Sequence, residues 1–304
     1  MSALPWPEER AGNPHPAARF SHASSNLCLD FHGDPSRAGV TVLSDGNHHM
    51  ALEEALALFV LQHPEVGEVF YSTTPPRVMT DIARVGAARI GNLQFIIKPD
   101  IFIGPPAVLN RLIDENLMHA HAPFARSVGN VLLVKKGNPK KIYHVTDLLC
   151  DEVRLFLSNP DAESVSYQVY RACLDDLAER RNVTLPFLTH PIGQPDPNKL
   201  VYGERIHHRE APQAVADGRA DVAMVYYHLA LRYQRIFPDL FDWVWPDGAF
   251  DNGGCEHSHF HCGMSAQVNE WGKALYQHLM SAEVAAVYQR HGLEATVAAA
   301  PISG

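Results

Sequence analysis

Apolar and polar positions along this chain come in blocks that read as strand, turn and helix in regular succession. Residues 40–43 form a short apolar run, 44–49 a polar turn, and 50–62 carries apolar side chains at Leu52, Ala55, Leu56, Phe59 and Val60, the spacing of one helix face. The pattern repeats as strand 68–71, polar turn 72–76 and helix 78–89 with Gly91 closing it, then as strand 100–104 and helix 107–116. Such alternation predicts an α/β fold with a largely parallel sheet. Each turn sits at a helix N-terminus, where unpaired N–H groups make a ready anion site.

A second series follows. Residues 153–157 read as a strand, 158–166 as its loop, 167–180 as a helix and 183–197 as a looser connection. The most organised stretch is 203–228, GERIHHREAPQAVADGRADVAMVYYH. A polar turn at 203–208 leads into a helical run at 210–217, and Gly218 stops it, since glycine tolerates the left-handed C-cap. Residues 220–227 then read as a continuously apolar, buried parallel strand ending in Tyr227 and His228. The carboxyl ends of such strands are where open α/β sheets hold ligands. Residues 237–246 lead out, with Trp243 and Trp245 expected to pack, and 268–280 and 282–291 read as closing helices.

The stretch 203–228 resembles the last strand of the second lobe in type II periplasmic solute-binding proteins, and is most similar to the molybdate/tungstate-binding branch. Three further stretches agree in order: 131–139 (VLLVKKGNP), 140–149 with its Asp-Leu pair, and 281–295 (SAEVAAVYQRHGLEA). The likeness covers roughly 40–297. It implies two doubly wound α/β lobes joined by two crossover strands, near 123–134 and 254–263. The expected division is an irregular arm at 1–39, lobe one at 40–125 plus 254–304, and lobe two at 126–253. Ligand capture is expected to shift a hinge equilibrium.

The resemblance also implies a ligand site built from loop hydroxyls and backbone N–H groups. Carried over position by position, the contacts fall at Asn47, at Thr73 or Thr74, at Ser166, at Ile206 or His207, and at Tyr227 or Tyr226. This chain departs from that pattern by placing histidine beside those positions: His48 and His49, His207 and His208, and His228. Imidazole donates to an anion or, when neutral, binds a transition metal.

At 304 residues the chain is long enough for two separate cores. A formal charge of −9 argues against nucleic acid or an anionic membrane as partner, but sets no bar to a small anion held by local dipoles. No run approaches the ~18 apolar residues of a membrane span. Without a basic segment followed by an apolar one at the start, the expected compartment is the cytoplasm as the sequence stands, or the periplasm if a leader has been removed. Five cysteines cannot all pair, which leans toward a reducing compartment. The resemblance implies an ABC transporter permease as partner, or a role as a sensor, and a monomer is expected.

One cluster stands apart. In Cys255-Glu256-His257-Ser258-His259-Phe260-His261-Cys262, a strand period of two puts Cys255, His257, His259 and His261 on one face. Three imidazoles and a thiol suit Zn²⁺, Ni²⁺ or Cu²⁺. No nucleophile-elbow, P-loop or dinucleotide-binding pattern is present. The leading expectation is therefore a non-enzymatic solute-binding protein for a small oxyanion, or a related carboxylate or phosphate, with no required cofactor. The alternatives are capture of a transition-metal ion or metal complex by the cleft and hinge histidines, and a metal-dependent enzyme on the same scaffold.

Overall fold

The computed structural model describes residues 4–5, 31–90, 92–188, 196, 198–204, 206–246 and 258–296. They divide into two compact units. Lobe one holds the described residues from Phe31 to Arg126 and from His259 onward; lobe two holds Ser127–Ser258 together with Leu4 and Pro5. The chain thus crosses between the units at 126/127 and again at 258/259.

Lobe one contains strands β1 (Phe31–His32), β2 (Ala38–Ser44), β3 (Glu68–Thr73), a β4 (Ala87–Ile90)–β5 (Leu93–Ile96) hairpin, and β6 (Ile101–Gly104), β7 (Met118–Ser127). In lobe two come β8 (Asn130–Lys135), β9 (Leu155–Leu157), β10 (Leu200–Tyr202), β11 (Val222–Tyr226) and β12 (Phe241–Val244). The chain returns to lobe one with β13 (His259–Ser265) and β14 (Leu293–Ala295).

The lobe-one sheet has the order β1-β3-β2-β6-β13-β7-β14. Its β3, β2 and β6 run parallel, while β1 and β13 are antiparallel to their neighbours. Helices α1 (His49–Gln62), α2 (Pro76–Val85) and α3 (Pro106–Asp114) each follow a parallel strand. Side chains alternate across the sheet, and both faces are covered. Val42 and Tyr71 pack with Leu52 and Phe59 of α1 on one side. Leu43 and Phe70 pack with Met79 of α2 and Leu109 of α3 on the other. Two covered faces explain why these strands are apolar throughout and not alternating.

In lobe two the order is β10-β9-β11-β8-β12. Strands β10, β9 and β11 are parallel, and β8 is antiparallel to both β11 and β12. Helices α4 (Ser164–Arg180), α5 (His207–Asp217) and α6 (Tyr227–Ile236) follow the three parallel strands. Helices α7 (Glu270–Leu279) and α8 (Ala282–Arg290) complete lobe one. None of the described helices is long and apolar enough to cross a membrane.

Several boundaries differ from the sequence reading, each for a local reason. Part of the arm expected to be irregular is ordered, because Phe31 and His32 pair with Ser72 and Tyr71 of β3. Helix α2 stops at Gly86, left-handed at φ 69°, and not near Gly91; the chain turns there into the β4–β5 hairpin, whose Ala87-Ala88 start suits helix and strand alike. The first crossover is two strands, one in each lobe. Helix α6 was hidden in the apolar run, because β11 passes into it with no polar cap between. Cys173 on α4 is disulfide-bonded, while Cys150 and Cys262 are free thiols.

One carboxylate ties the amino-end rim of lobe one together. The Asp100 side chain accepts the N–H groups of Thr41 and Asn269, both at 3.0 Å. Asn269 in turn caps α7 by accepting the Gly272 N–H at 2.8 Å. Burial raises the Asp100 carboxyl pKa. Asp100→Ala strands two amide donors, each worth about 1–3 kcal/mol when left unpaired. We expect urea unfolding to show a loss of about 2–4 kcal/mol; a midpoint equal to that of the parent would show that the carboxylate holds nothing.

Candidate functional site

In each lobe the polar residues gather where the parallel strands end. In lobe one, β2 ends at Ser44, β3 at Thr73 and β6 at Gly104, and each hands over to a helix within a few residues. The 45–48 loop after β2 is shaped by an Asx turn in which the Asn47 N–H donates to Asp45 at 2.8 Å. Burial lifts the Asp45 carboxyl to about 6. At the end of β3 the Ser72 and Thr74 hydroxyls are buried without a hydrogen-bond partner. Thr73 lies between them, its hydroxyl paired with His32 Nε2 at 3.1 Å.

In lobe two, Ser158 stands one position past β9, and its hydroxyl is likewise buried and unpartnered. Asn159 folds the following loop, its side-chain oxygen accepting the Asp161 and Ala162 N–H groups and its amide donating to the Gly203 carbonyl. Glu163 accepts the His207 N–H at 2.6 Å at the start of α5. Glu210 accepts the Ile206 N–H at 2.9 Å. Burial, with the charge of Glu210 adding to it, raises Glu163 to about 7. The His207 ring is packed on Phe156 and Tyr170, with Nε2 buried and unpartnered, and burial drops its pKa to about 3. It is a neutral imidazole at any physiological pH.

The helices that follow parallel strands share one feature. In α1, α2, α3, α4, α5 and α6 no N-cap side chain bonds to the first turn. By contrast α7 and α8 are capped, by Asn269 and Ser281. Without a side-chain cap these first turns present the positive end of the helix dipole at the strand ends, although several of their N–H groups bond nearby carbonyls, as His49 does to Gly46 and Tyr227 to Gly129. Pro75-Pro76 and Pro105-Pro106 remove donors from α2 and α3, and in α1 the His49 and Ala51 N–H groups are taken by the Gly46 and His48 carbonyls, so the unpartnered Ser72 and Thr74 hydroxyls are the more available donors in lobe one.

The expected site residues fare unevenly. Asn47 is half-buried in the loop before α1, and Thr73 and Thr74 are buried at the end of β3. Ser166 is not on a loop; it lies in the first turn of α4, which begins earlier than the periodicity indicated because Val165 is exposed and breaks the apolar spacing. Tyr226 is the buried last residue of β11, and Tyr227 opens α6 with its ring against Trp243 and Trp245.

His48 is engaged within the lobe-one core. It is fully buried, with Nδ1 2.8 Å from the Tyr288 hydroxyl and Nε2 3.1 Å from Ser44 Oγ. Ser44 spends its own proton on the Asp45 carbonyl, so His48 donates from Nε2 and accepts at Nδ1. Neither nitrogen is left for a metal. His49 Nδ1 is turned back on the Gly46 carbonyl at 2.9 Å. His208 is half-buried, its carbonyl accepting from Tyr233, and His228 is buried with its ring stacked on Tyr226.

Of the proposed metal face, His259 and His261 lie on β13 and point away from the core that Phe260 and Cys262 enter. Cys255 and His257 lie outside the described residues. Among the described residues no three His, Cys, Asp or Glu side chains converge as a metal site. The sequence reading put Ser72 in the polar turn after β3 and Ser158 at the start of a loop without giving either a contact, and did not single out Glu163. The signal for the two serines was present: a hydroxyl at the end of an apolar strand.

A sequence model of the family described as bacterial extracellular solute-binding protein matches residues 40–294. Curated proteins give no match. Among solved structures, the sulfate-binding protein SubI from Mycobacterium tuberculosis aligns with a TM-score of 0.60 at 16% identity, over 84% of this chain and 85% of that one. The Azotobacter vinelandii periplasmic molybdate-binding protein gives 0.57 at 13% identity, over 84% and 98%. PEB3 of Campylobacter jejuni with L-phospholactate bound gives 0.56 at 15% identity, over 84% and 99%. At these identities the likeness is one of fold.

Glu163 makes a testable contribution to stability. Between the ordinary carboxyl value and about 7, the folded chain keeps a proton that the unfolded chain has released, so stability falls as pH rises through that window. Glu163→Gln keeps an acceptor for the His207 N–H and removes the charge. Melting temperatures from pH 5 to 8 are expected to fall less steeply in the variant. The effects of His207 and Asp45 are common to both proteins and cancel in the comparison. Parallel slopes would show that Glu163 titrates normally.

Proposed function

The chain belongs to the bacterial extracellular solute-binding proteins, and on that premise we propose that it captures a small tetrahedral oxyanion for delivery to an ABC transporter. The observation that carries the reading is the set of buried hydroxyls without a protein partner, Ser72 and Thr74 in lobe one and Ser158 in lobe two. Each stands within one residue of the carboxyl end of a parallel strand. A buried unpaired hydroxyl calls for an explanation, and an acceptor-rich ligand supplies one.

The choice of a tetrahedral oxyanion rests on two supports. Hydroxyls and first-turn amides donate along several directions without adding a cation, which matches oxygens arranged around one centre. Proteins of like fold are named for sulfate, molybdate and L-phospholactate, and all three ligands carry a tetrahedral oxo group. The net charge of −9 does not oppose this, because the donors act at contact distance. A metal held by the loop histidines is not favoured, since both ring nitrogens of His48 are spent on Ser44 and Tyr288. The Cys173 disulfide supports an oxidising compartment outside the cytoplasm.

A thermal-shift panel of molybdate, tungstate, sulfate, phosphate and phospholactate tests the ligand class. A ligand at 100 times its Kd adds about 2.7 kcal/mol to stability. Thr74→Val and Ser158→Ala each remove one hydrogen bond to a charged ligand, worth about 1.5–3 kcal/mol, or roughly 10- to 150-fold in Kd. The ligand-free variants should melt no lower than the parent, because each loses an unsatisfied hydroxyl. Unchanged affinity in the double variant would remove these residues from the site, and a panel without any stabilising anion would overturn the ligand class.

A further inference from the structure

His121 and His261 face each other on neighbouring antiparallel strands of lobe one. The register sets His121 of β7 opposite Gly263 of β13, and His261 opposite Pro123. The two imidazoles therefore meet diagonally on one face of the sheet. Their Nδ1 atoms are 2.8 Å apart, and both rings are half-buried. Helix α3 adds a third group: His121 Nε2 lies 3.0 Å from the Asn110 side-chain oxygen.

The partners fix the protons. An amide oxygen only accepts, so His121 carries its proton on Nε2 and presents a lone pair at Nδ1. The proton between the rings then belongs to His261. Metal-binding imidazoles are held in the same way, the outer N–H donating to a carbonyl or carboxylate so that the inner nitrogen is aimed and basic. Asn110 supplies that outer contact in the absence of any metal.

Two nitrogens, each about 2.0–2.1 Å from a metal, lie roughly 2.8–3.4 Å apart for angles from 90° to tetrahedral. The 2.8 Å between the two Nδ1 atoms is the length of their N–H···N hydrogen bond, so a small rotation of the rings would let an ion take the place of the shared proton. Among divalent ions, imidazole pairs hold Cu²⁺ and then Ni²⁺ strongly, in the Irving–Williams order. We propose that His121 and His261 form a two-imidazole clamp for Cu²⁺ or Ni²⁺, with Asn110 as its positioning residue and solvent completing the coordination. On binding, the ion replaces the shared proton, and His261 takes its proton on Nε2 instead. The clamp is independent of the anion reading, since none of its residues belongs to the strand-end hydroxyl sets.

The test uses the full chain without a histidine tag, stripped of metal by chelation and dialysis. Calorimetric titration with Cu²⁺, Ni²⁺ and Zn²⁺ is expected to show one saturable site, with Cu²⁺ the tightest. Electron paramagnetic resonance of the Cu²⁺ complex should show coupling to two nitrogens. His121→Ala and His261→Ala should abolish the saturable site, and Asn110→Ala should weaken it roughly 10-fold or more, with melting temperatures confirming that each variant folds. The chain has 18 histidines, so binding that survives both histidine variants would place the ion elsewhere and overturn the clamp. A parent Cu²⁺ spectrum with one nitrogen or none overturns it even if a variant fails to fold; the pair is then a hydrogen bond and nothing more.

Discussion

A parallel strand that hands its chain directly to a helix leaves that helix's first-turn N–H groups facing the strand's carboxyl end. Most of what the candidate site contains follows from this. The backbone donors there need acceptors, from side chains, water or a ligand. Helices α7 and α8, which follow no parallel strand, solve the problem internally with Asn269 and Ser281. The six that do follow parallel strands have no such cap, and α5 draws on Glu163 and Glu210 to serve its first amides. The same ends carry Ser72, Thr74 and Ser158 with buried hydroxyls and no protein partner.

Rigidity of the lobe-one loop has a traceable source. His48 links the end of β2 to α8 through Ser44 and Tyr288, and its ring packs on Phe260 of β13. Tyr288 keeps its proton, because burial pushes its pKa well above the ordinary tyrosine value, so the donor that His48 accepts from persists at any working pH. The 45–48 loop is thereby held from three elements before any ligand arrives, and preorganised donors lose less on binding.

Much of this fold was legible in the apolar spacing. Helix α1 and the strand–helix units beside it were plain because both faces of the sheet are covered and the buried Leu52, Ala55, Leu56 and Phe59 of α1 recur at helical spacing. The same continuity of apolar residues concealed α6, since Tyr226 and Tyr227 look alike in sequence but end a strand and open a helix. Gly86 was overlooked as a stop because the residues after it suit either state. The site was legible in outline only. Periodicity locates strand ends, and the family resemblance carried the expected contacts to Asn47, to Thr73 or Thr74 and to Tyr227 or Tyr226 near them. Neither says which hydroxyl at a strand end lacks a partner, since that depends on distant residues: Thr73 is occupied only because His32, many positions earlier, reaches it.

The histidines carry the same lesson further, because residue type alone gave them all one meaning. What separates them is the fate of each ring nitrogen. His48 spends both within the core. His207 keeps an unpartnered Nε2 but is buried among aromatic rings, where charge is suppressed. His121 has one nitrogen fixed by Asn110 and the other aimed at His261 on a half-buried face that solvent reaches. A lone pair that is oriented, accessible and faced by a second imidazole differs in kind from a histidine that merely neighbours a ligand loop. The HxH spacing on β13 hinted at metal chemistry within one strand. The structure places the complementary ring on the adjacent strand instead, a pairing set by the β7–β13 register that no spacing along a single segment encodes.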